Sequence, residues 1–475
     1  MGEQVMGFIK DEISKSRYFL VSVDSTLGIT HCDQLTIILC YINMVDYQPV
    51  ERFLTFINIS SQTGQNLADT LAQYFSDQDI DYKNCRGQTY DNASNMSGKY
   101  IGMQQILKNK NSLVDYIPCA AHSLNLVSQS AVDCCVEAVS FFNILNHQYT
   151  FFVTSTHRWD VMMTHGKNQP ECFVPKYPSN TRWSAQSDAA KAVFKGYHQL
   201  QSALQAIVSI KLLQSSTIKL TPAFGLLKTL HIFLDECREK FDDYNQKAGD
   251  CCGNSTYKSE SRRQPKSKRQ INDGDTADDM EGMPSQQNFK VNTFYVIIDQ
   301  LKNALKKRTK AYSIVLQRFG VLTEYDSMTD EDIDIAVKGM VTVYSKDLCS
   351  DFPTEFRQFM CWYKEERNYE EGSSAQNQVD SSAQKMFKML HNSDVYQAFP
   401  NTEIAIRIYL CLMSTNCSGE RSFFQLKRIK DAKRSTMAQR RLSVLSLLCI
   451  ESDLLNKVNF KELIDKFAVI KARKF

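Results

Sequence analysis

The hydrophobic pattern near the N-terminus predicts one short helix followed by three strands. Apolar residues recur at the spacing of one helix face at Val5, Phe8, Ile9 and Ile13. The next run, residues 18–25, carries apolar side chains on both faces, as a buried central strand does, and it reaches a carboxylate at Asp24. Residues 34–43 and 50–59 are two more strand-like runs with a short link, which favours an antiparallel meander.

The pattern then alternates between the helical period and short strand-like runs. Residues 63–75 place apolar side chains at i, i+4, i+7 and i+8, which predicts a helix. Residues 84–91 indicate a fourth strand that ends at Asp91, residues 98–107 are typical of a helix, and residues 113–117 are a candidate fifth strand. Three strands, a helix, a strand and a helix, with an Asp closing the first and fourth strands, is the order of an RNase H-like fold.

After the fifth strand the signals are helical, with little sign of further strands. We therefore predict an α/β protein with a mixed sheet, formed by core segments at 1–130 and 399–475 and interrupted by a large all-α insertion at 131–398. Residues 253–288 are rich in Ser, Gly, Gln and charge, which predicts a disordered loop within the insertion. The last segment indicates three helices, with Glu420 in the first turn of the middle one.

Composition limits the classes of protein that this chain can represent. The 475 residues are 43% hydrophobic and 23% charged, as in globular proteins, and a net charge of +3 is too small to indicate nucleic-acid binding by itself. Fifteen cysteines without a C-x-x-C motif suit reduced thiols in an intracellular protein. The apolar runs are short and interrupted, so we expect a soluble protein with no membrane partner.

Asp24 and Asp91 are candidate metal ligands, because the first and fourth strands are neighbours in the predicted sheet. Two carboxylates held close together repel each other unless a cation lies between them. Oxygen ligands favour Mg²⁺ or Mn²⁺ over zinc, and a pair of such ions supports phosphodiester chemistry. The pattern alone leaves open the alternative that each Asp only forms a helix cap or a turn.

Six sequence blocks carry a resemblance to a known family. They are V-D-S-T at 23–26, G-Q-T-Y-D-N-A-S-N-M-S-G at 87–98, C-A-A-H-S-L-N-L at 119–126, T-R-W at 181–183, C-S-G-E-R-S-F at 417–423 and L-K-R-I-K at 426–430. In this order they resemble the hAT superfamily of DNA transposases, in particular the branch that includes transposon-derived zinc-finger MYM-type proteins. The resemblance implies an RNase H-like core, an inserted helical domain and C-terminal helices of the hAT dimerisation type.

The resemblance also implies which residues carry the chemistry. Asp24, Asp91 and Glu420 match the family's catalytic, metal-binding acids, with Mg²⁺ or Mn²⁺ as the cofactor. Cys119 and His122 match its C-x-x-H pair beside the active site. A zinc site is an alternative for this pair, although two ligands need two more, and a core cysteine with a hydrogen-bonded histidine is another.

A second set of residues is implied to contact DNA. Trp183 matches a family tryptophan that stacks against an extruded base, and the neighbouring Arg182 is a candidate phosphate contact, with a surface arginine as the alternative. Lys427, Arg428 and Lys430 form a basic cluster after Glu420, which predicts a grip on a DNA strand. The alternative for this cluster is a solvated face of a dimer helix.

Two further features concern partners and location. Apolar residues of the last segment exceed what one exposed helix should show, which predicts a partner surface at Leu442, Leu445, Leu448 and Leu455. A basic cluster between Arg262 and Arg269 is similar to a nuclear-import signal, although such clusters are common. We therefore expect a nuclear protein whose partners are DNA and a second copy of the chain.

Two functions remain open on this reasoning. The first is a hAT-type DNA transposase, or a protein derived from one, that hydrolyses and transfers DNA phosphodiesters with the acidic triad. The alternative is a domesticated, non-catalytic nuclear protein that dimerises and binds DNA or protein partners. The chain begins close to the first catalytic strand, so we expect that the N-terminal zinc-finger module of such transposases, with which they recognise transposon ends, is missing.

Overall fold

In the computed structural model of this chain, the residues described are 1–27, 32–154, 220–252, 285–371, 382–412, 416–430, 434 and 436–472. Contacts divide the chain into two compact units. The first, called the sheet unit, comprises Met1–Ser123, Leu213–Phe224 and Lys310–Phe475. The second, called the helical unit, comprises Leu124–Leu212 and Gly225–Thr309. Residues 310–398, which the sequence pattern assigned to the insertion, therefore lie in the same compact unit as the sheet.

The N-terminal third of the chain alternates strands and helices. In chain order its elements are α1 (Gly2–Ser16), β1 (Phe19–Leu27), β2 (Asp33–Asn43), β3 (Gln48–Ile59), α2 (Gly64–Asp77), a 3₁₀ turn (Tyr82–Asn84), β4 (Cys85–Thr89), α3 (Ser94–Ser97), α4 (Met103–Lys110), β5 (Asp115–Tyr116), α5 (Ala120–Val132) and α6 (Val136–Val153). The predicted order of three strands, a helix, a strand and a helix is confirmed, and with it the α/β fold class.

The rest of the described chain contains helices and helical turns only. In chain order these are α7 (Leu220–Glu239), α8 (Phe241–Cys252), α9 (Ser285–Phe289), a π turn (Lys290–Phe294), α10 (Tyr295–Phe319), 3₁₀ turns (Gly320–Leu322 and Tyr325–Ser327), α11 (Asp330–Val343), α12 (Phe352–Glu371), α13 (Ser382–Asn392), α14 (Pro400–Cys411), α15 (Cys417–Ile429), α16 (Gln439–Ile450), a 3₁₀ turn (Ser452–Lys457) and α17 (Phe460–Ala472). Across the described ranges, no helix combines the length and the hydropathy needed to cross a membrane.

The sheet is mixed, and its strand order is β3-β2-β1-β4-β5. The pairs β1–β2 and β2–β3 are antiparallel, whereas β1–β4 and β4–β5 are parallel. The chain can make the first two connections through short links, but the parallel pairs need crossovers, which α2 and α4 supply. As a result β1 is the central strand, with neighbours on both sides.

Side chains of β1 point alternately to the two faces of the sheet. Phe19, Val21 and Val23 belong to the main hydrophobic core, where the Phe19 ring meets the Phe75 ring of α2 edge to face at 5.9 Å. Ser22 lies on the other face, and its hydroxyl donates a hydrogen bond to the side-chain oxygen of Asn416. Asp24 shares that face with Ser22, so the strand presents its carboxylate towards the C-terminal helices.

Ion pairs and hydrogen bonds fix several later helices of the sheet unit to the sheet. Arg86 on β4 donates two hydrogen bonds, of 2.8 and 2.6 Å, to the carboxylate of Asp347, and both side chains are almost fully buried. Tyr18 donates a third hydrogen bond to the same carboxylate at 3.1 Å. Tyr312 of α10 donates a hydrogen bond to the carbonyl of Pro118 at 2.5 Å. Buried ion pairs satisfied in this way fix geometry more than they add stability.

Several element boundaries differ from the sequence-based predictions, for local reasons. The predicted helix at 98–107 is a loop up to Gly102, followed by α4. A Cβ atom on Gly102 would lie 2.4 Å from the amide nitrogen of Gly98. The backbone at these two glycines therefore approaches itself too closely for a side chain, where a helix was expected. The predicted fifth strand shrinks to the two residues of β5. The last predicted helix ends at Ile450, and a separate 3₁₀ turn follows it.

In the helical unit, polar and aromatic side-chain contacts join α7 and α8 to the π turn and α10. Arg238 makes two hydrogen bonds to Asp299, and its guanidinium lies 4.1 Å from the centre of the Tyr295 ring. The Phe241 and Phe294 rings meet edge to face at 5.1 Å. Residues 253–284 of the predicted disordered loop lie outside the described residues, while Ser285–Phe289, at its predicted end, is helical.

Candidate active site

The parallel pairing of β1 and β4 brings the first two candidate acids to the same edge of the sheet. Ser22 is paired with Thr89, and Asp24 and Asp91 each lie two residues further along their chains. Asp24 is only 7% exposed, and one of its carboxylate oxygens accepts a hydrogen bond from the amide of Ser25 at 2.8 Å. Asp91 is half-buried, and its carboxylate accepts a hydrogen bond from the amide of Ala93 at 3.2 Å.

Helix α15 places Glu420 beside these acids. Glu420 lies in the first turn of the helix, as predicted from the sequence. The preceding residue, Gly419, approaches Asp24 so closely that an added Cβ atom would lie 3.0 Å from Asp24 Cβ. One turn later, Ser422 donates a hydrogen bond of 3.1 Å to Thr36, the residue paired with Asp24 across β1 and β2. The first turn of α15 therefore lies directly over the Asp24–Thr36 pair.

The N-terminus of α5 supplies Cys119 and His122. The amide of Cys119 donates a hydrogen bond to the carbonyl of Tyr90, the residue before Asp91. Nε2 of His122 lies 3.4 Å from Oε1 of Glu420, and both side chains are about one-third exposed or less. Nδ1 of His122 is buried and makes no hydrogen bond in the structure. The C-x-x-H pair thus lies at the acids, with the imidazole against Glu420.

The charges at this site perturb one another strongly. Burial is the main reason why the pKa of Asp24 rises to about 7; Asp91 and Glu420 raise it further, while His122 opposes them. Burial alone would lower the pKa of His122, but the neighbouring Cys119, Glu420 and Asp24 outweigh this effect and raise it to about 9. Near neutral pH the imidazole of His122 is therefore protonated, and the carboxyl group of Asp24 is only partly ionised.

The donor atoms of this site fit a hard divalent cation. Burial, and to a smaller extent Asp91 and Glu420, raise the pKa of Asp24, and a Mg²⁺ or Mn²⁺ ion bound here would favour its ionised form. In the described part of the chain, however, no three His, Cys, Asp or Glu side chains are already close enough together to hold a metal ion. Glu420 is engaged by His122 instead. The same finding leaves Cys119 and His122 without the two further ligands that a zinc site needs.

The structure describes some of the predicted DNA-contacting residues and not others. Lys427 and Arg428 are exposed in the last turn of α15, and Lys430, just beyond the helix, is half-buried. Arg182 and Trp183 lie outside the described residues, so their proposed contacts with phosphate and base stay predictions.

The leucines of the last segment support the chain's own core more than was predicted. Leu442 is fully buried in the main core, and Leu448 and Leu455 pack against that core. Only Leu445 of the four is absent from it. The surplus of apolar positions is therefore largely explained by packing of α16 on β3 and α1, rather than by a partner.

Sequence reasoning missed Asn416, Gly419 and Ser22. Asn416 has the sequence features of an ordinary residue before a helix. The structure begins α15 at Cys417 and buries Asn416 between β1 and Cys119. Polar and small residues are common at the start of a helix, so the local sequence did not distinguish Asn416 and Gly419 from ordinary residues.

Two family models match parts of this chain. Residues 1–102 match the ZMYM1/FAM200 RNase-like domain, and residues 386–454 match the hAT family C-terminal dimerisation region. The first match contains Asp24 and Asp91, and the second contains Glu420. A mixed sheet with an RNase-like domain and a dimerisation region defines a transposase-related protein.

More specifically, the two matches support a hAT-family transposase-like protein, in agreement with the family resemblance. The dimerisation region also supports self-association. The evidence for a self-association surface is therefore this match, and not the number of leucines in the last segment.

Proposed function

We propose that the sheet unit cuts and joins DNA phosphodiesters at Asp24, Asp91 and Glu420, with Mg²⁺ or Mn²⁺ as its cofactor. The observation that carries this proposal is the geometry of the acids: Asp24 and Asp91 follow paired residues of the parallel strands β1 and β4, and the turn that carries Glu420 packs against Asp24. Carboxylates at the ends of neighbouring parallel strands are an arrangement suited to a hard metal ion. A divalent cation held there supplies Lewis-acid stabilisation of the negative charge that develops on the phosphodiester oxygens.

The chain's own residues have distinct roles in this proposal. Asp24 and Asp91 are fixed by the sheet and by backbone amides, so they provide rigid oxygen ligands. Glu420 completes the acid set when it turns from His122 towards Asp24. His122 is then free to donate a hydrogen bond from Nε2 to a phosphate oxygen, because its raised pKa keeps it protonated near neutral pH.

DNA reaches this site, in our proposal, along the C-terminal end of α15. Lys427 and Arg428 are exposed cations two turns from Glu420, so they can neutralise phosphates of a strand whose scissile bond lies at the acids. The sequence cluster between Arg262 and Arg269 supports a nuclear location for this activity.

A second candidate is a non-catalytic relative that only dimerises and binds DNA. The observation in its favour is that Glu420 faces His122 and that the described residues contain no ready-made three-ligand cluster. Such a protein keeps its basic end and its dimerisation region but has lost the function of its acids.

A nicking assay distinguishes the two candidates. The wild-type chain is incubated with branched and blunt DNA ends in the presence of Mn²⁺, beside Asp91→Ala and the control Asp77→Ala, which removes an exposed carboxylate of α2. We expect strand cleavage by the wild type and the control, and its loss in Asp91→Ala. Equal cleavage by all three proteins, or none, rejects the catalytic proposal in favour of the second candidate.

A further inference from the structure

Asn416 joins three segments of the candidate site: β1 with Asp24, the start of α5 with His122, and α15 with Glu420. Its side-chain oxygen accepts a hydrogen bond from the hydroxyl of Ser22 on β1, 394 positions away in the sequence. Its side-chain amide donates to the carbonyl of Val23, the residue before Asp24, at 3.2 Å. Its backbone amide donates to the sulfur of Cys119 at 3.2 Å, at the start of the helix that carries His122. The residue is 1% exposed, so water cannot replace these bonds at low cost.

The position of Asn416 makes this use of its side chain unusual. It is the N-cap residue of α15, where an Asn side chain normally accepts a hydrogen bond from an amide of the first helical turn. No such side-chain capping bond is present. The side chain is turned towards β1 instead, so the contact serves the junction between helix and strand rather than the helix alone.

Gly419 makes the same junction tight. A Cβ atom built on Gly419 would lie 2.9 Å from the side-chain oxygen of Asn416 and 3.4 Å from a carboxylate oxygen of Asp24. The backbone of α15 therefore touches both Asn416 and Asp24 one residue before Glu420. A larger residue at 419 can be accommodated only if the Asn416 side chain leaves its bonds to β1 or the helix moves outward.

We propose that Asn416 is a positioning residue that fixes the first turn of α15, and with it Glu420, against Asp24, and so sets the affinity of the acid site for a divalent cation. The inference rests on the proposed function of that site, but it adds a residue that the family comparison does not single out. Replacing a residue that orients the metal ligands without binding the metal itself usually changes metal affinity by about 10- to 100-fold.

A matched control lies on the same helix. The hydroxyl of Ser422 makes buried hydrogen bonds to Thr36 and to the carbonyl of Gly419, so it also joins α15 to the sheet, but it makes no bond to the partners of Asn416. Ser422→Ala removes one buried helix-to-sheet hydrogen bond without touching Ser22, Val23 or Cys119. If Asn416 only stabilises the fold, the two variants will behave alike towards metal.

The experiment measures Mn²⁺ binding by the full chain without DNA, from the electron paramagnetic resonance signal of free Mn²⁺. The proteins are wild type, Asn416→Ala, Ser422→Ala and Gly419→Ala. We expect Asn416→Ala and Gly419→Ala to bind Mn²⁺ about tenfold or more weakly than wild type, and Ser422→Ala to bind as wild type does. Thermal unfolding of each protein checks that the chain is folded under the assay conditions.

A second measurement is independent of metal. Hydrogen exchange without Mn²⁺ should become faster in the first turn of α15 in Asn416→Ala, while the amides of β2 and β3 remain protected. Ser422→Ala should leave that first turn protected. Unchanged exchange of this turn in Asn416→Ala overturns the positioning role, whatever the metal affinity.

The outcomes separate this inference from the proposed function. Equal Mn²⁺ affinity in wild type and Asn416→Ala, or an equal loss in Ser422→Ala, overturns the inference and leaves the acid site in place. Absence of Mn²⁺ binding by the wild type contradicts the proposed function and the effect on affinity together. In that case the hydrogen-exchange result still decides whether Asn416 fixes the first turn of α15.

Discussion

The two ends of α15 are built in opposite ways. At the N-terminal end, Asn416 and Gly419 are buried against β1, and Glu420 lies among Asp24, Asp91 and His122. At the C-terminal end, Lys427 and Arg428 are exposed. One helix therefore carries a negative, closely packed N-terminal end over the sheet and a positive C-terminal end in water, which is the arrangement of charge that the helix dipole favours.

This difference separates two requirements of DNA chemistry. A reacting group must be held within a fraction of an ångström, and only buried contacts with the sheet can do this. A phosphate contact needs charge and reach but little exact placement, so flexible exposed side chains are sufficient. Substitutions at the two ends of α15 should therefore separate rate from affinity.

The largest expected effect is on the rate of cleavage, at the packed end. Glu420→Gln keeps the size of the side chain but removes the charge that would bind a cation. We expect the single-turnover cleavage rate with Mn²⁺ to fall about a thousandfold or more, while DNA affinity stays the same or rises slightly. Glu331→Gln, which changes an exposed glutamate in the first turn of α11, is the control and should cleave as the wild type does. A small loss of rate in Glu420→Gln would remove this residue from the catalytic set.

The next effect concerns stability, because the packed end holds a carboxylate that is costly to ionise. Asp24 has a folded-state pKa of about 7, above its unfolded value, so its contribution makes the free energy of unfolding fall as pH rises from about 4 to about 7. Asp24→Asn removes this decline. We expect the variant to be more stable than wild type by about 2–4 kcal/mol at pH 8 without metal, and to differ little near pH 4.

Denaturant unfolding in EDTA at pH 4, 6 and 8 measures this difference. Glu51 also has a pKa raised to about 7, mainly by burial, but it is present in both proteins and cancels in their difference. Excess Mn²⁺ should stabilise wild type at pH 8 and leave Asp24→Asn unchanged. A variant that is less stable than wild type at pH 8 would show that the carboxylate is well compensated in the folded state.

Substitutions at the exposed end of α15 should change the affinity for DNA and leave the cleavage rate unchanged. Lys427→Gln combined with Arg428→Gln removes two cations, so we expect DNA affinity to fall about tenfold at physiological salt and the slope of log affinity against log salt to decrease by about two. The cleavage rate at saturating DNA should remain that of wild type. Lys461→Gln with Lys466→Gln, on exposed positions of α17, is the control. An unchanged salt slope would make the basic end a solvated surface only.

Local patterns were sufficient to predict the sheet and the acids that end its strands. The apolar runs that form β1, β2 and β3 were placed to within about two residues, because continuous burial leaves a clear pattern in each segment. Asp24 stood out for the same reason, since it interrupts a run of buried apolar residues in the central strand. The capping box of Thr329 and Asp332, which begins α11, is likewise a local feature of the sequence.

The remaining parts of the site depend on contacts that no local pattern contains. Glu420 was found only through the family resemblance, since nothing near it in the sequence indicates that it meets Asp24. Asn416 could not be found at all, because its partners Ser22 and Cys119 are hundreds of positions away. The loop at 98–102 was mistaken for helix because the close approach of Gly98 and Gly102 leaves no hydrophobic signal.

The smallest expected effect tests the charge balance of the packed end through His122. Its folded-state pKa of about 9 lies above the unfolded value, so its stabilising contribution is fully present below about pH 6.5 and is lost as pH rises to about 9. His122→Asn should therefore be less stable than wild type at pH 6 in EDTA, and the difference should shrink towards pH 9.5.

His391 is the matched control of opposite sign, because burial and Arg407 lower its pKa to about 4. Replacing His391 by Asn should remove a loss of stability that sets in below about pH 6.5, so the two difference curves should slope in opposite directions. If the His122 curve is flat across this range, folding does not raise the pKa of the imidazole, and its charge then contributes nothing to holding Glu420 in the absence of metal.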